Sequence, residues 1–259
     1  MKTRKLWWAF AGVIIFSFGI LGYYGFDLYL KAPPIPEKVI TADGTVLFTG
    51  QDIKDGQNVW QSMGGQEVGS VWGHGAYLAP DWSADWLHRE AIYILNSWSK
   101  EIYNMDYESL SGENKAVLQA RLKVELRTNT YNPDTKELKV SKVRADAIKK
   151  ISKYYASLFM NDPALEKTRN DYSIHENTIN DKDRMEKMNN FFFWTSWSCV
   201  TQRPDKDISY TNNWPHEELV GNTPSSSLVI WTGFSVIVLL FGIGLLAFYY
   251  AKNKDENDL

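Results

Sequence analysis

The sequence predicts a mainly α protein with a small β-hairpin, its central domain held between two membrane-spanning helices. Three observations carry this. Residues 6–26, LWWAFAGVIIFSFGILGYYGF, run without a charge, and a second uncharged run extends from Leu228 to Ala251. At about 1.5 Å per helical residue, either run reaches across the roughly 30 Å hydrocarbon layer of a bilayer. Between them, apolar residues recur three or four apart in successive segments, the spacing that turns one helix face toward a core.

The first element is the N-terminal span. Met1-Lys-Thr-Arg-Lys resembles the basic start of a secretory signal, but the apolar run is longer than a signal's and no small-x-small cleavage site follows, so an uncleaved anchor is expected. Lys2, Arg4 and Lys5 precede this span, and Lys252 and Lys254 follow the second. Under the positive-inside rule both termini face the cytoplasm and residues 31–227 lie outside it. The acidic tail DENDL does little against that orientation. Trp7, Trp8, Tyr23, Tyr24, Trp231, Tyr249 and Tyr250 fall near the ends of the spans, where amphipathic rings prefer the headgroup level, although any one of them reads equally as lipid-facing bulk. The expected organisation is a start and first span over 1–30, an extracytoplasmic domain over 31–227, a second span over 228–251 and a short cytoplasmic tail over 252–259, a two-pass protein of a bacterial inner membrane with membrane lipid around both spans.

Within the outer domain, KAPPIPEKV is a proline-stiffened exit, and ITADGTVLFTG reads as two short strands around Asp43-Gly44. Ile53 to Met63 forms a first helix. SADWLHREAIYILNSW forms a second, with Ser83 as its expected N-cap and Trp86, Ile94, Leu95 and Trp98 on one face. GENKAVLQARLKVELR is a third, and TYNPDTKELKV is a hairpin turning at Asn-Pro-Asp. SKVRADAIKKISKYYASLFM places Ile148, Ile151, Tyr155 and Leu158 at helical spacing, and DKDRMEKMNNFFFWTSWSCV becomes strongly aromatic toward its end. There are no internal repeats and no low-complexity segments.

Composition removes several classes of function. With 28 Lys and Arg against 31 Asp and Glu, and no basic run interleaved with aromatics, nucleic acid is not an expected partner. The single cysteine, Cys199, makes no internal disulfide, Cys-x-x-Cys pair or multi-cysteine zinc site.

Residues 56–82, GQNVWQSMGGQEVGSVWGHGAYLAPDW, concentrate glycine and tryptophan, the residues of close backbone approach and flat apolar contact. This stretch resembles the haem segment of the c-type-cytochrome subunit of bacterial nitric oxide reductases, G-x-x-x-W, then C-x-x-C-H, then G-x-G-A-Y-x-A-P-[DE]. The frame is present as Gly56, Trp60, Gly73, Gly75, Ala76, Tyr77, Ala79, Pro80 and Asp81. The haem-binding residues are not: in register, the cysteines fall on Gly65 and Val68 and the histidine on Gly69. That pattern is similar to the N-terminal region of the quinol-dependent nitric oxide reductases, and APPIPEKV, LFTGQDI, FFFWTSWSCVTQRP and YTNNWPHEELVGNTPSS resemble it too, in order. The resemblance implies a cytochrome-c-like domain lacking haem, with no cofactor in this chain. It also implies a catalytic bundle of about a dozen further helices, holding haem b and a non-haem iron, which the family places after the second span and which is expected as the missing C-terminal part or as a partner subunit.

Other candidates read more simply. His74 between glycines is a candidate axial ligand, but a lone histidine without partners is more often structural. His88 reads as salt-bridged helix surface, His175 as polar loop, and His216-Glu217-Glu218 as a hydrated turn in which adjacent residues seldom converge on one metal. No metal site is assigned. Asp81 and Asp85 flank a helix start, where negative charge is favourable, so capping is preferred over proton transfer for them; Glu90 is a candidate only as a proton carrier. Cys199 reads as a small buried side chain. The aromatics Trp60, Trp72, Trp82, Trp86, Phe191, Phe192, Phe193, Trp194 and Trp197 read chiefly as core filling the volume of a lost haem. The segment Phe191, Phe192, Phe193, Trp194 and Trp197 is also the candidate docking surface for the catalytic helices. Two functions follow: a structural, docking module of a quinol-type nitric oxide reductase, converting NO to N2O only with its catalytic part, or an independent two-span receptor for an extracytoplasmic ligand. The eight residues after Ala251 are too few for a signalling domain, which favours the first.

Overall fold

A computed structural model describes residues 2–257 and is mostly helical with one small sheet. The last two residues of the expected tail, 258 and 259, lie outside the described residues. The chain divides into two compact units, residues 1–35 and 36–259.

The first unit is built on helix α1, Lys2–Leu30. Its stretch Thr3–Leu30 is long and apolar enough to cross a membrane, and none of its most apolar window is buried by protein.

The second unit opens on β1, Lys38–Thr41, and β2, Val46–Thr49. Helix α2, Gly50–Ser62, starts in a capping box: Thr49 Oγ1 accepts from the Asp52 amide and the Asp52 carboxylate accepts from the Thr49 amide at 2.8 Å. Helix α3, Trp82–Tyr103, begins two residues earlier than Ser83 capping would allow. The cap is Asp81, whose Oδ1 accepts from the Ala84 amide at 3.0 Å, while Ser83 is buried and its hydroxyl accepts from the Trp72 amide at 3.2 Å. Asp85 is not the cap itself but lies in the first turn of α3, where negative charge is favourable. Next come α4, Gly112–Arg127, then β3, Tyr131–Asn132, and β4, Glu137–Val140. Helix α5, Lys142–Phe159, a short α6, Glu166–Asp171, and α7, Lys182–Val200, complete the domain, and α8, Ser226–Asn257, closes the unit.

The expected hairpin is one of two. Their strands form a single four-stranded sheet in the order β2-β1-β4-β3, joined by parallel pairing of Lys38–Thr41 with Glu137–Val140. The sheet therefore ties the entry of the domain to its middle.

Helix α7 is the centre of the domain. Every residue from Met188 to Val200 is buried, and α2, α3 and α5 pack on it. The α2 crossing depends on Gly56, where a Cβ would overlap the backbone carbonyl of Lys187 and lie 2.8 Å from Phe191 Cβ. The surrounding core is largely aromatic. Trp82 stacks on Phe192 and meets Phe159 edge-on, and Trp86 lies parallel to Tyr155 at 5.5 Å between ring centres. The segment Phe191, Phe192, Phe193, Trp194 and Trp197 is at most 7% exposed, so it cannot serve as the docking surface. Its rings face inward because α7 from Phe191 to Val200 is apolar or small on every side, the pattern of a helix segment surrounded by protein, while its charged first turns, Lys182–Lys187, reach the surface.

In α8, Ser226–Lys252 is long and apolar enough to span a membrane and is likewise uncovered by protein.

Candidate functional site

The glycine-rich stretch folds as a tight loop between α2 and α3. A single 3-10 turn, Gly65–Val68, sits between Gly64 and Gly69, whose φ values of 120° and 114° lie in the region open to glycine. Gly65, with φ 54°, has open space where a side chain would project. Gly69 does not. A Cβ there would press into Nε1 and Cε2 of Trp82 and come within 2.8 Å of the Pro80 carbonyl. The fully buried Trp82 indole therefore occupies the space of any side chain at position 69, and its Nε1–H donates to the Val68 carbonyl at 2.9 Å.

The second half of the loop is held by a buried carboxylate. Asp81 Oδ2 accepts from the Ser70 hydroxyl at 2.6 Å and the Gly73 amide at 2.7 Å, and Ser70 Oγ accepts from the Gly75 amide at 2.8 Å. The Trp82 amide donates to Ser70 O, and the Trp72 indole donates to Thr195 O on α7. Asp81 is thus a structural clamp as well as a helix cap, and all its acceptor sites point to its own loop and helix. Its network offers no outward-facing acid.

Trp214 fastens this loop to the segment that enters α8: its Nε1–H donates to the Gly73 carbonyl at 3.0 Å, and its ring lies 4.7 Å from that of His74. Asn213 in turn donates to Thr223 O, three residues before α8. At the tip of the same loop Tyr77 is fully exposed and Leu78 about half exposed.

A second polar cluster lies on α3. Asp85 accepts from Arg89 Nε at 2.7 Å and from the Tyr155 hydroxyl at 2.6 Å, while Arg89 covers the Tyr154 ring at 3.7 Å. Burial, aided by the Asp85 charge, pushes the Tyr155 hydroxyl well above its ordinary value. One turn on, Glu90 Oε1 accepts from Arg144 Nε at 2.7 Å, with both side chains buried. Sequence reasoning offers Glu90 only as a proton carrier and misses Arg144. The signal was present: Arg144 precedes Ile148 by four residues on the apolar face of α5, and Glu90 follows Trp86 by four on that of α3.

The remaining candidates stay apart. His88 pairs with Glu217 at 3.0 Å across 129 positions, not with a neighbour on its own helix. His175 and His216 are exposed, and Glu217 also caps its own turn by accepting from the Leu219 amide. Among the described residues no three His, Cys, Asp or Glu side chains gather as a metal site. Cys199 is buried on α7, where desolvation raises its thiol well above the ordinary value and leaves it protonated and inert.

Residues 36–216 match the family of the NorB cytochrome c-like domain of nitric oxide reductase. No curated protein matches the chain.

Proposed function

Because this chain belongs to the NorB cytochrome c-like domain family of nitric oxide reductase, we propose that it is a haem-free structural module of a quinol-dependent nitric oxide reductase. In this reading it lies on the outer side of a bacterial inner membrane and caps the catalytic helices that convert two NO to N2O. The observation that carries it is the filled position at Gly69.

A covalently bound haem, which a cytochrome-type fold implies, does not fit these residues. Two thiols and an axial ligand are required, yet the chain's one cysteine is enclosed on α7 and the place of the ligand is taken by Trp82. Without a redox centre the domain relays no electrons, so the haem b and non-haem iron that NO reduction needs reside in the membrane part. What remains for this domain is support and docking. With the 191–197 segment enclosed, docking falls to the Tyr77–Leu78 tip, an exposed apolar pair on a loop that Trp214 and Asn213 hold against the entry to α8.

Extraction of the tagged protein at native expression in mild detergent tests this. Haem b and iron should be retained, in the same polypeptide or in a bound one. A Tyr77→Ala, Leu78→Ala variant should retain less while melting normally. Recovery free of any haem-bearing membrane protein, with NO reduction undiminished in a strain lacking the domain, would refute the proposal.

A further inference from the structure

A groove of about 520 Å³ runs between α5 and α7, roofed at one end by β2. Its floor is apolar: Phe48, Ile148 and Met185 are buried there and Met160 is partly so. Its rim is basic. Lys149 and Lys153 stand one helical turn apart on α5, and Lys182, the first residue of α7, lines the facing wall. None of these three exposed ammonium groups has an ion-pair partner among the described residues, and Glu186 is the one carboxylate in the lining.

The second observation lies in the same lining. Asn189 is 3% exposed, and its Nδ2 donates to the Ser152 carbonyl at 3.3 Å, but its Oδ1 has no hydrogen-bond partner among the described residues. A buried carbonyl without a donor is unfavourable, and a ligand donor that reached Oδ1 through a small shift of the groove wall would relieve that cost. Three unneutralised cations over an apolar floor raise the local concentration of small anions. The volume falls within the range of sites for small molecules, roughly 300 to 1,000 Å³, and is small for the face of a partner protein.

We propose that this groove binds a small amphiphile: a carboxylate or phosphate head held by Lys149, Lys153 and Lys182, a short apolar body on Phe48, Ile148 and Met185, and a hydroxyl or N–H group donating to Asn189 Oδ1. The site is separate from the glycine-rich loop and does not depend on the role proposed for that loop. Two sources offer this chemistry, a free hydroxy acid and an anionic lipid headgroup.

Met160 and Met185 provide reporters. The full chain, labelled with 13C in its methionine methyls and embedded in phosphatidylcholine nanodiscs, is titrated with 3-hydroxyoctanoate and, in parallel, with octyltrimethylammonium. The hydroxy acid should shift the Met160 and Met185 methyls saturably, leave Met63 and Met105 in place, and bind at least tenfold more weakly to the Lys149→Glu, Lys153→Glu variant. If that variant fails to melt like the parent, Lys182→Glu alone takes its place and should weaken binding severalfold. Discs containing phosphatidylglycerol form the second arm: the same two methyls shifting without added ligand would identify the headgroup as the source. Equal response to the ammonium amphiphile, unchanged affinity in the charge-reversed variants, or silence of both methyls in both arms would overturn the proposal.

Discussion

Replacing Gly69 with alanine tests the filled ligand position directly. The substitution puts an L side chain at φ 114°, a backbone region costing about 1–3 kcal/mol outside glycine. Its Cβ also collides with the Trp82 indole, which cannot move without losing its hydrogen bond to Val68, about 0.5–1.5 kcal/mol, and its packing on Phe192 and Phe159. Overpacking a closed core adds about 1–3 kcal/mol. Together the loss should be about 2.5–7.5 kcal/mol, a fall in Tm on the order of 10 °C for a domain of this size. Gly65→Ala is the control, since its φ of 54° is left-handed but its surroundings are open, for a cost of about 1 kcal/mol. Urea unfolding followed by near-UV circular dichroism reads both variants through their tryptophans. If Gly69→Ala falls within about 1 kcal/mol of Gly65→Ala, Trp82 does not occupy the position as described.

Gly56→Ala should cost at least about 3 kcal/mol in the same assay, because α2 would have to withdraw from the Lys187 backbone carbonyl; a loss under about 1 kcal/mol would contradict the tight crossing. Removing one member of the buried Glu90–Arg144 pair should cost about 3–5 kcal/mol, with the Glu90→Leu, Arg144→Met double variant recovering most of it, and additive losses would deny the coupling. The raised Tyr155 hydroxyl gives an alkaline prediction. The unfolded chain ionises it from about 10.0 while the folded chain does not, so its contribution is intact below that pH and is lost as pH rises further. Above pH 10 the parent should lose up to about 1.4 kcal/mol per pH unit more than Tyr155→Phe, and parallel pH curves would contradict this.

The helices were legible because their apolar faces repeat locally, and the strands because Asp43-Gly44 and Asn-Pro-Asp mark their turns. The parallel pairing of β1 with β4 was not, since it joins residues about a hundred positions apart and neither strand encodes its partner. Ser83 and Asp81 both suit an N-cap by residue type, and the choice fell to Asp81 because the folded loop turns its carboxylate over the first amides. The aromatic run 191–197 reads as an interaction surface in one dimension. It is interior because three helices converge on it, although the absence of any charged residue from Met188 to Val200 was the available clue. For the site, sequence register located Gly65, Val68 and Gly69, but only the packing of Trp82 against Gly69 explains why a ligand does not return there.

The most direct test of the central claim is the covalent haem content of the protein. The chain should be expressed with its own membrane spans alongside a functioning c-type cytochrome maturation system, purified, and assayed by pyridine haemochrome and by haem staining after denaturing electrophoresis. A haem-free module predicts no c-type spectrum and no stained band at the chain's position, whereas covalent haem in one-to-one ratio with the chain would contradict it.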